Sequence, residues 1–236
     1  MKIKYKINEV KPKVFAVVIE DRYDRAMTFL RVQEFYESPN KKFRGKNFSI
    51  WDYIKWYSEE YGKGFTYGTD WSGFNIPLEI GYTCYDTLID AYSPYDETME
   101  EIIHKVYEMN DDDVDGYIIG AGDNRGDTFQ HEVCHGLWYT NSAYKKDAKA
   151  LLTIINKEDY EVFENNLLEM GYTDKVIDDE IQAYLCYGHD VDNFSNGVDK
   201  EVCKAYHKEF IKGLRSKDKK TILIIVFFVF NYLLDL

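Results

Sequence analysis

Proline and cysteine are both scarce here, with four of each in 236 residues. So little proline excludes a proline-rich linker or a polyproline ligand segment. Cys84, Cys134, Cys186 and Cys203 fall in no paired spacing, which excludes a zinc ribbon and a disulfide framework. Positive charge is also short: 29 Lys and Arg stand against 42 Asp and Glu, a net charge of −13. An acidic surface of that size repels phosphate backbones and argues against nucleic-acid partners. There is no internal repeat and no low-complexity linker. No apolar run follows Met1-Lys2-Ile3-Lys4-Tyr5-Lys6, so the reading is a cytoplasmic protein with reduced thiols.

Apolar residues, in contrast, are plentiful. A hydrophobic content of 45%, with 17% aromatics, is that of a folded chain. The length is enough for one large domain or two small ones.

The β-branched run Val14-Phe15-Ala16-Val17-Val18-Ile19 predicts a buried strand. Helices are predicted over about 21–36 and from Asn47 or Ser49 to about Tyr61. From Phe74 to Tyr82 the even-numbered residues are largely apolar or aromatic, the alternation of a half-buried strand, although Pro77 weakens it. A helix follows over Glu97–Met109. The acidic stretch Asn110 to Gly116 matches the first half of a calcium loop, with Asp111, Asp113 and Asp115 at alternate positions. Its twelfth position is Gly122 where a bidentate Glu is required, so the reading is a solvated acidic loop. Tyr117 to Ala121 then predicts a short strand, whose edge is expected to pair with an extended substrate. Helices are predicted over about 142–155, 157–170, 173–187 and 199–213.

The most informative stretch is His131-Glu132-Val133-Cys134-His135. Histidines four apart project from one face of a helix and can reach one metal ion. Glu132, one position round, is placed to touch water at that ion without ligating it. Asp127 is expected to cap this helix, with Gln130 at the third position of a capping box. Phe129, Val133 and Leu137 form the apolar stripe that would bury its other side. By chance the motif arises in roughly one chain in a hundred of this composition.

Catalytic zinc keeps three protein ligands and one open position. Downstream carboxylates and imidazoles available for the third are Glu158, Glu161, Glu164, Glu169, Asp178, Asp179, Glu180 and His189. Glu180 is best placed, because Ala183 on the same helical face allows close approach to the histidine helix. The pair of motifs, His131-Glu132-Val133-Cys134-His135 and Glu180-Ile181-Gln182-Ala183, resembles the gluzincin type of zincin metallopeptidase. That resemblance covers about residues 117–190 and implies His131, His135 and Glu180 as zinc ligands, with Glu132 as general base. The sequence departs from the family in having Tyr184 where many members place an aspartate four residues after the ligand glutamate. Candidates for stabilising the transition state are His189 and Tyr184, with His207 and Tyr187 as alternatives.

These readings give an α+β protein. It comprises an N-terminal mixed part over 1–110, a mainly helical zincin-like part over 111–215, and a basic segment with an apolar tail over 216–236. The expected function is zinc-dependent hydrolysis of a peptide or protein substrate; the alternative is a non-catalytic zinc-containing protein on the same scaffold. The apolar run 222–234 is shorter than the ~17–25 residues of a spanning helix and is interrupted by Asn231. It is expected to be buried, with membrane association as the alternative.

Overall fold

A computed structural model describes residues 3–86 and 93–215. The apolar run 222–234 lies outside the described residues. Among those described, no helix is long and apolar enough to cross a membrane.

The elements are, in order, β1 (Lys6–Lys11), β2 (Val14–Val18), α1 (Arg22–Glu37), α2 (Ile50–Tyr61), the single turn α3 (Tyr67–Asp70), β3 (Phe74–Pro77), α4 (Leu78–Asp86) and α5 (Pro94–Met109). Then come β4 (Tyr117–Ala121), α6 (Gly126–Thr140), α7 (Ser142–Leu152), α8 (Lys157–Glu169), α9 (Ile177–Cys186), the single turn α10 (Asp192–Ser195) and α11 (Lys200–Arg215). Helices with one small mixed sheet make this an α+β fold. The chain divides into two compact units, Met1–Gly136 and Leu137–Leu236.

The first unit is built on a four-stranded sheet in the order β1-β2-β4-β3. β2 and β4 run parallel in the middle, while β1 and β3 are antiparallel edges. The two central strands are buried almost throughout, which is why both read as unbroken apolar runs. Gly120 in β4 is required by packing: a Cβ there would lie 2.6 Å from the Phe29 ring of α1. Ile102, Ile103 and Val106 of α5 and Phe29 and Leu30 of α1 complete this core. Arg31 and Asp96 form a buried ion pair within it, at 2.8 Å, and Arg31 also donates to the Phe48 carbonyl.

The sheet differs from the sequence reading at β3 and at β1. The stretch Phe74–Tyr82 is not one strand, because the chain leaves the sheet at Pro77 and Leu78 opens α4. Proline offers no N–H to a ladder, and the Leu78 N–H donates instead to the Gly116 carbonyl. α4 then packs against α5, with Gly81 close under Ile103. β1 was missed because Lys-Ile-Asn-Glu-Val-Lys is a mostly exposed edge with only two apolar residues.

The acidic loop after α5 turns through Asp111 and Asp112, both at positive φ. Asp115 pairs with Lys13 and accepts from the Asn110 amide, which holds its carboxyl below the usual range.

In the second unit, α9 packs against α7, α8 and α11. Its core includes Leu151, Phe163, Leu167, Ile181, Leu185, Phe194 and Phe210. α9 begins at Ile177, four residues later than Thr173, the start expected from sequence.

Candidate metal centre

The turn into α6 is made at Gly126, whose φ of +83° favours glycine. The helix therefore starts one residue before Asp127, which lies in its first turn instead of capping it. Phe129 and Val133 are buried as expected, and Leu137 is half-buried. Gly136, which directly follows the second histidine, has a packing role. A Cβ there would sit 2.5 Å from Val14 Cγ1, so glycine lets the helix lie flat against β2.

This seating presents the two histidines together. His131 Nε2 and His135 Nε2 are 3.1 Å apart, with the rings at 74° to one another. Two nitrogens at ~2.0–2.1 Å from one tetrahedral cation would be about 3.3 Å apart. His135 is only 2% exposed, which shields a metal bond from competing solvent.

Glu180 is held in the first turn of α9 and is 4% exposed. Its acidic neighbours are engaged elsewhere in their own unit. Asp178 accepts from the Tyr160 hydroxyl at 2.8 Å, and Asp179 from the Gln182 amide at 3.0 Å. Gln182 is fixed in turn by the Tyr144 hydroxyl at 2.8 Å, and Ala183 is fully buried. His131, His135 and Glu180 form a group whose ligand atoms all lie within 4.8 Å of one another. Among the described residues, this is the group of three such side chains able to hold a metal ion. Comparison with protein-family models, with curated proteins and with solved structures gave no match. The centre therefore stands on its own geometry, which is that of three side chains that could hold a metal ion.

Two imidazoles and one carboxylate suit a first-row divalent ion, and the set is neither the all-thiolate nor the all-oxygen type. Glu132 is not one of the three. It is 7% exposed, and its Oε2 accepts a 2.9 Å hydrogen bond from the Asn75 side-chain amide. Gly73 lies directly beneath it, where a Cβ would meet Glu132 Oε1 at 2.1 Å. Sequence reasoning missed Asn75 and Gly73, and no local signal marks either of them.

The remaining site candidates sit in the second unit. The Tyr184 ring stacks on Phe194 at 4.6 Å, and its hydroxyl is 3.3 Å from that of Tyr172. His189 stacks on His207 with ring centroids 4.0 Å apart, and His207 Nδ1 donates to the Leu185 carbonyl at 2.8 Å. The strand expected to offer its edge to substrate, β4, is paired on both sides and has no edge to give. The edge next to Glu132 is β3, which carries Asn75 and follows Gly73.

Proposed function

We propose that this chain is a zinc-dependent hydrolase, and specifically a metallopeptidase. The observation that carries the reading is the His131–His135–Glu180 triad with a buried carboxylate, Glu132, on the same helix but outside the ligand set. Three protein ligands leave one coordination position for water or substrate, whereas a purely structural site fills its fourth position with protein. Zinc bound there would supply a Lewis acid that activates water and polarises a carbonyl.

The chain's own residues do the rest. Glu132 accepts the proton of the attacking water and returns it to the departing nitrogen. His189 and Tyr184 are the proposed donors to the oxyanion that forms. An extended peptide would add to the β3 edge, beside Gly73, where it adjoins Glu132. One rung of that edge is already used, since the Asn75 N–H donates to Gln33 Oε1 at 3.2 Å.

Metal analysis is the direct test. Purified protein is expected to carry about one zinc per chain, and chelator-stripped protein to take up one equivalent. Protein that holds no transition metal, even after zinc is added back, overturns the proposal. Zinc uptake without hydrolysis of any peptide would favour the non-catalytic alternative.

A further inference from the structure

We propose that Asn75 and Tyr117 are positioning residues for the Glu132 carboxylate, with Gly73 as the notch that admits it. The proposal rests on reading Glu132 as the general base.

The three residues are remote from the motif in sequence and are brought to it by the sheet. β3 and β4 pair antiparallel, with Asn75 opposite Ile119 and Pro77 opposite Tyr117. Asn75 and Tyr117 are therefore diagonal neighbours on one face of the sheet, within reach of each other. The Tyr117 hydroxyl donates to Asn75 Oδ1, and Asn75 Nδ2 donates to Glu132 Oε2 at 2.9 Å. Chemistry sets the order of this relay. An ionised carboxylate only accepts, so the amide must turn its NH2 group towards Glu132. Its oxygen then faces Tyr117, whose hydroxyl is able to donate. Tyr117 is 2% exposed, so the relay begins from a side chain locked in the core.

A glutamate on a helix has three rotatable bonds, and its carboxylate visits several positions unless something holds it. Here Oε2 is held by Asn75. Oε1 lies over Gly73, where any side chain would displace it. Both supports stand on or beside a strand, which holds a reacting group in place better than a mobile loop does. Misplacing such a group by about 1 Å costs on the order of 100-fold in rate.

The test uses full-length, zinc-loaded Asn75→Ala, Tyr117→Phe and Gly73→Ala proteins. Zinc affinity is measured by competition with a chromophoric chelator, and hydrolysis on a fluorescence-quenched peptide mixture. Asn75→Ala and Gly73→Ala are expected to lower kcat by about 10–100-fold, with KM and zinc affinity unchanged. Tyr117→Phe, which keeps the ring and removes only the hydroxyl, is expected to give a smaller loss of the same kind. A fourth readout does not depend on turnover. The Asn75 side-chain amide protons should resonate downfield in the parent and lose that shift in Glu132→Ala. Parent-like kcat in Asn75→Ala, or a rise in KM alone, overturns the proposal. So does an amide signal indifferent to Glu132→Ala. If the parent hydrolyses no peptide, the general-base reading falls, and the amide signal by itself decides whether Asn75 holds Glu132.

Discussion

Glu132→Gln is expected to keep its zinc and lose about 10²–10⁴-fold in turnover. The substitution preserves size and the acceptor that faces the Asn75 amide, so the helix and its neighbours keep their places. What it removes is the group proposed to take and return the proton. Glu180→Gln should behave in the opposite way. A carboxylate ligand contributes charge as well as a donor atom, so metal affinity itself should fall. The fall should exceed the ~10–100-fold typical of changes to groups that only support a ligand, and excess zinc should restore part of the activity. Glu169→Gln, an exposed position at the end of α8, serves as the control and should alter neither property. Zinc affinity and peptide hydrolysis measured side by side separate the two roles. Full turnover in Glu132→Gln would sink the proposed mechanism. Unchanged zinc affinity in Glu180→Gln would mean that the third ligand is another residue.

How far this centre was legible follows from the range of the interactions that build it. The histidine pair is a local feature: four residues of helix fix both side chains on one face, so spacing alone carries it. Glu180 was reachable because its helix has a clear period and a small residue at 183, which the structure shows fully buried. Asn75 was not reachable. It meets Glu132 across 57 residues of sequence, and nothing in Gly-Phe-Asn-Ile-Pro marks an amide as a partner for a distant carboxylate. The same holds for glycines such as Gly120 and Gly136, whose reason is a tertiary contact with Phe29 or Val14.

Secondary structure followed a similar rule. Segments with a buried stripe and a recognisable cap were legible: α1 is capped by Asp21 and α2 by Ser49, as their sequences imply. The reading failed where tertiary pairing overrode the pattern. Apolar residues at alternate positions from Phe74 to Tyr82 suited a strand, but only Phe74–Pro77 finds a partner in β4. The rest buries more by folding back as α4 onto α5, where Leu78 and Cys84 enter the core. The start of α5 was placed late because its capping box is Ser93 with Asp96, and the shorter Asp is a weaker sequence signal than Glu or Gln.

A second large effect is expected at Glu34 on α1. This carboxyl is 6% exposed among aromatic rings and accepts from the Tyr67 hydroxyl at 3.0 Å. Burial pushes its pKa up to about 7, against the opposing pull of the neighbouring Ser38, Tyr67 and Tyr53 hydroxyls. In the unfolded chain the same group titrates near its ordinary value of 4.5. Between those two values the folded protein holds a proton that the unfolded chain has released, so stability falls as pH rises. The contribution is fully present below pH ~4.5, is lost through pH ~7, and amounts to about 3 kcal/mol. Glu34→Gln keeps the shape and the acceptor for Tyr67 but cannot ionise. Its unfolding free energy should match that of the parent near pH 4.5 and exceed it by about 3 kcal/mol above pH 7. Urea unfolding of both proteins across pH 4.5–8 measures this as a difference, in which the other titrating groups cancel. A difference that stays flat across that range would mean that Glu34 is ionised in the folded protein and that its aromatic surroundings solvate the charge.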